Sequence, residues 1–511
     1  MAKELPTELW YRIIQFLPTT HQKTCLSVSK MHHDIAVKYV FSHVIISLGL
    51  WRADDEIEEA PTPVQLLVAK RVARANYALL RHVMRTPEFA CHVRKLTVQS
   101  YSFFEGNHME YEIGTLVDAI ETLHNLSSFA WYGPLPITPC EIMDALRRSS
   151  GQKVVDILLH PEIPEHICLP AFTQLKSLVF VHRHGTHWPA MDAVPYHKTI
   201  HAAISANSAT LRRLDVFGDA LWGCPSAFFS NLYELAIVFP DTLDGLHSVF
   251  EHCRGLGGFT LCTENDSSEF ASILTAYPDA FPSLASFKLL SVFDFHDEAI
   301  REVAQFLKKK KLLRRLDILT RTENVLHGLA NTPILEILPD LPRLEVLGLD
   351  IRPLKLTSAH VTLLQQYIPR QITALFLLLQ VESSSAKVGD WHTFFAAHAA
   401  LQYLHIVTSA PQTDSLGAAL FDQPLPALEL LGYNSRLRWV TRGPTPSGTT
   451  AHSYSECWPR AKAYFRTVED FHGYEDWEWL ARHHGQDDDD YKLWGMNPPD
   501  AWMRMEAFEE A

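Results

Sequence analysis

The feature that most limits what this chain can fold into is a short motif that returns along most of its length. It has an apolar residue, two variable ones, an apolar residue, one variable residue and a last apolar residue. The first copies place Val93, Leu96 and Val98, then Leu126, Phe129 and Trp131, then Val154, Ile157 and Leu159 in the apolar positions. Leu175, Leu178 and Phe180 follow, then Leu211, Leu214 and Val216, then Leu232, Leu235 and Ile237. Further copies center on Phe259 and Leu261, Phe287 and Leu289, Leu316 and Ile318, and Leu347 and Leu349. Leu375 and Leu377, Leu404 and Ile406, and Leu431 and Tyr433 complete the series. There are about thirteen copies, roughly 28 residues apart on average. The alternation at the end of each copy is the period of a short strand, with the last two apolar residues inward and their neighbors outward. Between copies, Ile113, Val117, Ile120 and Leu123, or Ile300, Val303, Phe306 and Leu307, carry helical spacing. No unit this short can bury its apolar face alone, so the copies must stack over one continuous core.

The pattern resembles the leucine-rich repeat. That resemblance implies an α/β solenoid with a parallel sheet, a helical segment behind each strand, and a cap over the last strand. Pro282 and Pro342 stand where a turn must feed a strand. The Asn that usually follows such a strand is mostly missing, and the spacing varies. An ordinary α/β domain with a parallel sheet is the rival fold, since strands alternating with helices read that way too.

The first 46 residues differ in character. Pro6 suits a first helical turn, and Glu8 suits the positive end of the helix dipole. Leu9, Ile13, Phe16 and Leu17 recur at helical spacing, and Pro18 ends the run. Two shorter helices fit 22–27 and 29–39, and Phe41 to Val44 closes the stretch. So small a three-helix unit cannot enclose a large core and should keep an apolar surface for a partner. Leu5, Pro6, Glu8, Leu9, Ile13, Leu17, Pro18, Val28, Ser29 and Lys30 together resemble an F-box, and with the repeats behind it the chain looks like the F-box/leucine-rich-repeat proteins of fungi. The resemblance implies that these residues dock the Skp adaptor of a cullin-based SCF ubiquitin ligase, and that the repeats hold a target protein. The expected layout is an F-box over 1–47, a linker and capping helix over 48–90, degenerate repeats over 91–434, and a Trp-rich acidic cap or tail over 435–511. Within the linker, 51–63 reads as an acidic, Pro-containing hinge, and 64–85 as one long helix.

Several functions are disfavored. The formal charge of −14 argues against a sequence-independent nucleic-acid binder, which needs clustered Lys and Arg. Ile372 to Val381, the densest apolar run, is too short for a membrane span. No charged-then-apolar leader opens the sequence, and the eight cysteines form no C-x-x-C pair, so a cytoplasmic or nuclear protein with reduced thiols is expected. No glycine-rich phosphate loop, G-x-S-x-G or H-E-x-x-H is present, so neither an enzyme nor a cofactor is expected. His182, His184 and His187 form a cluster that could ligate zinc, but 27 histidines make a chance grouping the simpler account, and no metal is expected. Asp294 to Asp297 reads as a turn and helix cap.

Target recognition is therefore expected on the outward strand positions. These include Lys95, Thr97 and Lys288, with Arg213, Asp215, Phe217, Arg315, Asp317, Phe376, Tyr403 and His405 as the target-binding candidates. The Asp residues could equally pair with bases on neighboring strands and serve the sheet alone. A non-degradative scaffold and a small-ligand sensor remain alternatives. After Asn434 the motif stops, and 443–448 reads as an exposed loop. Six of the twelve tryptophans lie beyond Asn434, among them Trp477 and Trp479 in an acidic string. That region is expected either to cap the last strand or to dock a partner.

Overall fold

The computed structural model describes residues 5–17, 19–49, 63–100, 110–133, 139–150, 153–159, 169–180, 194–265, 267–322, 332–351, 353, 355–379, 383–408, 416, 419–420, 425–434, 436–444, 450–458, 471 and 473–482. These residues divide into two compact units, one up to 180 together with 194–215, the other from 216 onward. The hinge at 51–62, the His182 cluster, Pro18 and Asp487 to Asp490 lie outside the described residues.

The first unit opens with three helices, α1 (Thr7–Phe16), α2 (Thr19–Cys25) and α3 (Lys30–Val40). Their core is small: Ile14, Ile35 and Ala36, with Trp10, Tyr11, Leu17, Cys25, Leu26 and Tyr39 partly buried around it. Polar side chains supply the remaining order. The buried Gln22 amide donates to the Ile14 and Gln15 carbonyls at the end of α1, at 3.1 and 3.3 Å. Ser29 caps α3 by accepting from the His32 N–H.

Repeats follow at once. Strand β1 (His43–Leu48) lies parallel to β2 (Lys95–Ser100), with helix α4 (Pro63–Arg85) and the short α5 (Pro87–Ala90) between them. The sheet of this unit thus begins inside the stretch whose sequence resembles the F-box. Helix α6 (Glu110–Thr122), β3 (Ser128–Tyr132), α7 (Pro139–Ser150), β4 (Asp156–Leu159), β5 (Ser177–Phe180), α8 (Val194–Ala206) and β6 (Arg213–Phe217) continue in register. Helix α4 sends Leu80 and Val83 into the core and leaves Leu66 and Val68 exposed.

The second unit repeats the scheme. Helix α9 (Ser226–Phe229), β7 (Glu234–Val238), α10 (Leu246–His252), β8 (Gly258–Thr263), α11 (Ser267–Ala276), β9 (Ser286–Phe295), α12 (Asp297–Lys308), β10 (Arg315–Thr322), α13 (Thr332–Ile337) and β11 (Val346–Ile351) come first. Then follow β12 (Lys355–Leu356), α14 (Ser358–Tyr367), β13 (Ala374–Leu379), β14 (Ser383–Ser384), α15 (Val388–Ala397), β15 (Tyr403–Thr408) and β16 (Leu430–Tyr433). Strands β7 through β11, β13, β15 and β16 pair in parallel, and β12 pairs only with β14. Helix α12 shows why a repeat folds this way. Ala299, Ile300, Val303, Ala304, Phe306 and Leu307 form its buried face, Asp297 and Glu298 sit at its positive end and Lys308 at its negative end. His296 holds the cap position without a side-chain cap hydrogen bond, and Asp294 and Phe295 belong to β9 instead of the expected turn. Phe306 meets Phe287 of β9, and Phe250 of α10 meets Phe259 of β8, which places the helices on the side of the inward strand residues.

Each of the thirteen motif copies is a strand, which makes both units stacks of leucine-rich repeats. Backbone bonding does the work that an Asn ladder would do. At most junctions, one carbonyl just ahead of a strand accepts two successive N–H groups of the next repeat. Arg94 O takes Ser127 and Ser128; Ala285 O takes Arg314 and Arg315; Gln402 O takes Glu429 and Leu430. Ser42 O does the same for Arg94 and Lys95, so β1 belongs to the series.

The parallel ladder of the second unit ends in a hairpin. Strand β17 (Arg436–Pro444) runs antiparallel to β16, and β18 (Thr450–Tyr454) antiparallel to β17. Gly443 and Pro444, expected in the loop, pair with Ala451 and Thr450 and belong to β17; 445–448 lie outside the described residues. A final helix, α16 (Glu475–Ala481), lies on β11 and β13.

Candidate functional site

Two surfaces stand out, one in each unit. In the first, α1 is apolar on two sides. Trp10, Ile14 and Leu17 turn toward α2 and α3, while Leu9, Ile13 and Phe16 stay in solvent with Leu5 just ahead of them. Phe16 is 82% exposed and Val28, in the turn before α3, 60%; Met31 is exposed as well. Pro6, Glu8, Ser29 and Lys30 are exposed, and Leu17 is half-buried. Isolated exposed apolar side chains need no explanation, but a stripe along a helix does. Phe16 and Met31 extend this surface beyond the residues the F-box pattern singles out; their apolar character at helical spacing was the available signal.

In the second unit the outward strand positions form continuous rows. One row runs Thr260, Lys288, Asp317, Gly348, Phe376, His405 and Gly432 across β8 to β16. The row beside it runs Ser286, Arg315, Val346, Ala374, Tyr403 and Leu430. Sequence reasoning expects this face in solvent, and the structure differs. Asp317, Phe376, Tyr403 and His405 are buried, as is Lys288, and Arg315 is half-buried. In the first unit Asp215 is buried and Arg213 half-buried, and Phe217 at the end of β6 is buried.

The cover over the second unit's face is α16. Its first turn presents Asp476, which accepts from Arg314 Nη1 and Nη2 at 2.7 and 2.5 Å and from Arg315 Nε at 2.8 Å. Its last turn ends on Lys288. That ammonium, 1% exposed, donates to the carbonyls of Trp479 (2.7 Å), Leu480 (3.2 Å) and Arg482 (2.6 Å) and pairs with Asp317 Oδ2 at 2.9 Å. An acid bound by arginines at the positive end and a lysine on the orphan carbonyls of the negative end both suit the helix dipole. Burial pushes the Lys288 pKa down, and Asp317 only partly opposes it. Burial also works to raise the Asp476 carboxyl, but the Arg314 hydrogen bonds with the two guanidinium charges outweigh it and hold the group below its ordinary value.

Aromatic contacts fill the space between these two ends. Trp477 stacks on Tyr403 (centroids 5.6 Å apart, planes 18° apart) and on Tyr474 (3.8 Å, 12°). Trp439 and Trp458 of the hairpin region extend the cluster to Phe471. Trp479 lies under Lys288 Nζ at 4.7 Å and Arg315 at 5.8 Å. Glycine makes room for the helix. A Cβ on Gly348 would stand 2.1 Å from Asp317 Oδ1 and 3.0 Å from Leu480 Cδ1. At Gly432 it would stand 2.5 Å from His405 Cδ2. His405 itself lies between the Tyr403 hydroxyl and the Asn434 carbonyl, at 3.2 and 2.7 Å.

Sequence reasoning found the tryptophans, the acids and the outward rows, but not that they meet. Gly348 and Gly432, at positions where repeats carry side chains, were the signal. Among the described residues, no helix is long and apolar enough to cross a membrane, and no group of three or more His, Cys, Asp or Glu is placed to hold a metal.

The geometry defines a leucine-rich-repeat protein of mixed α/β class. No family model matches the chain, and no curated protein does. Solved structures similar to it include a chain of the Rad7–Elc1 complex of yeast, at 13% identity and TM-score 0.36, covering 73% of this chain and 88% of that one. A Bacteroides fragilis protein is similar over 59% of this chain and 64% of its own, at 12% identity and TM-score 0.20. A chain of the LRIM1/APL1C complex is similar over 67% and 60%, at 12% identity and TM-score 0.22.

Proposed function

We propose that this chain is a substrate-recognition subunit of an SCF-type ubiquitin ligase. Helices α1 to α3 dock the Skp adaptor, and the repeats hold a target protein. No chemistry occurs on the chain; it brings a target lysine close to a charged conjugating enzyme, which replaces a bimolecular encounter with a local one. The observation that carries this reading is the solvent-exposed stripe Leu5, Leu9, Ile13 and Phe16 on a helix already apolar on its other side. Burying such side chains against a partner contributes roughly 1.5–3 kcal/mol each, enough together for a stable interface.

Among the target-side candidates, Arg213 and Arg315 keep partial exposure. Asp317, Phe376, Tyr403 and His405 lie under cover. Affinity capture of the full chain from cells with the proteasome blocked tests the reading. The adaptor, a cullin and a ubiquitinated target should be recovered together, and the Leu5→Ala/Pro6→Ala/Leu9→Ala variant should lose the first two while keeping the target without its ubiquitin. Recovery of a bound protein whose level does not rise when the chain is removed would instead indicate a non-degradative scaffold.

A further inference from the structure

The face covered by α16 has properties that a permanent internal seam does not need. Lys288, Arg314, Arg315 and Asp317 place four charges there, and helix contacts to apolar residues would serve stability at least as well. These charges instead read a helix in one direction. Arg314 and Arg315 require an acid in its first turn, and Lys288 requires free carbonyls at its last. The hydrogen bonds from Lys288 to the helix go to backbone carbonyls, so any helix ending there would satisfy them. Selectivity lies in the slots between: Tyr403 for one indole, the Lys288 and Arg315 cations for a second, and the floor at Gly348 for an aliphatic side chain. The occupant comes from about 190 residues further along the chain, reaching the face without sharing a repeat with it.

We propose that this face is a receptor for a short acidic helix bearing two tryptophans, with the chemistry of Asp476 to Leu480, and that α16 occupies it in cis. A target protein carrying such a segment binds by displacing α16. The proposal deepens the substrate-receptor reading and rests on it for the ligand being a target. A tethered occupant competes intramolecularly, so it hides the face from weaker ligands and selects for close matches.

The test uses a fluorescein-labelled synthetic peptide spanning residues 473–482 and the full-length chain. Fluorescence polarisation compares wild type with the Trp477→Ala/Trp479→Ala variant, whose own helix no longer fills the slots. The peptide is expected to bind the variant at least tenfold more tightly than wild type. Adding Arg315→Glu to the variant should remove that gain, and so should a peptide with Asn in place of its Asp. If the double variant does not fold, as judged by circular dichroism, Asp476→Arg is used in its place, since it repels the same two arginines without opening a cavity. A folded variant that binds the peptide no better than wild type, or binds it regardless of Arg315→Glu, overturns the proposal. Adaptor binding is measured on the same samples. Its loss with peptide binding intact would count against the ligase reading alone.

Discussion

Replacing Lys288 by Met tests the anchoring of α16 at its most buried point. The substitution keeps most of the side chain's volume but removes an ammonium paired with Asp317 and bonded to three carbonyls of the helix end. If the helix stayed in place, the Asp317 carboxylate would be buried without its cation, a change that costs about 3–5 kcal/mol. Each carbonyl without a donor adds about 1–3 kcal/mol. Release of α16 lets water reach all of these groups, so local opening becomes the cheaper response. At about 1.4 kcal/mol per factor of ten, the Asp317 cost alone should raise opening by roughly a hundredfold to several thousandfold, and the carbonyls can only add to it. Hydrogen exchange followed by mass spectrometry on peptides covering 474–482 reads this directly, with faster exchange there and little change in α12 or β8. Adding Asp317→Leu should recover part of the loss, because only the carbonyls then lack partners. Lys309→Met is the control: its partner Asp279 is exposed, and an exposed pair contributes about 0–1 kcal/mol. Acceleration below about fivefold in Lys288→Met would refute the anchoring argument, since that is about 1 kcal/mol.

Three further outcomes follow from the same geometry. Gly348→Val drives a side chain into Asp317 and Leu480, an overpacking that costs about 1–3 kcal/mol, and should shift tryptophan emission to the red before global melting. Because the Asp476 carboxyl is held below its ordinary value of 3.8, its contribution is complete above that pH and is lost as pH falls through the depressed value. The stability gap between wild type and Asp476→Asn, from urea titrations at stepped pH, should therefore narrow below pH 3.8; a gap unchanged from pH 6 to pH 3 would contradict this. Burial pushes the Lys310 pKa down to about 8, so between there and 10.5 the unfolded chain keeps a proton that the folded chain has shed. Stability should gain from this site as pH rises through that window, and Lys310→Met should flatten the slope.

Most of the fold was legible because strand and helix periods leave separate marks in sequence. Phe287 and Leu289, or Leu316 and Ile318, alternate as a strand must, and Ile300, Val303 and Phe306 recur as a helix must. The strand His43–Leu48 was harder to see. Val44, Ile46 and Leu48 alternate and Phe41 opens the motif three positions ahead of Val44, but these residues lie in the stretch that resembles the F-box and precede the next copy by about fifty residues. The front surface was legible in part: Leu9 and Ile13 were expected outside, whereas Phe16 is more exposed than either.

The outer face was not legible, for a physical reason. Outward residues have no local partner in sequence, and whether Asp317 meets water or Lys288 beneath a helix depends on a segment near residue 480. The string Arg-Arg-Leu-Asp occurs twice, at 212–215 and 314–317, and the second meets α16. Its Arg314 and Arg315 hold Asp476, while its Asp317 neutralises the lysine that caps the same helix.

The division of labour between a helical front and a repeat body is tested most directly by calorimetric titration of the purified full chain with purified Skp adaptor. One adaptor should bind each chain. Leu9→Asp/Phe16→Asp should abolish the heat without lowering the melting temperature, and Trp477→Ala/Trp479→Ala should leave it unchanged. A folded wild-type chain that neither releases heat nor co-elutes with the adaptor would contradict the account.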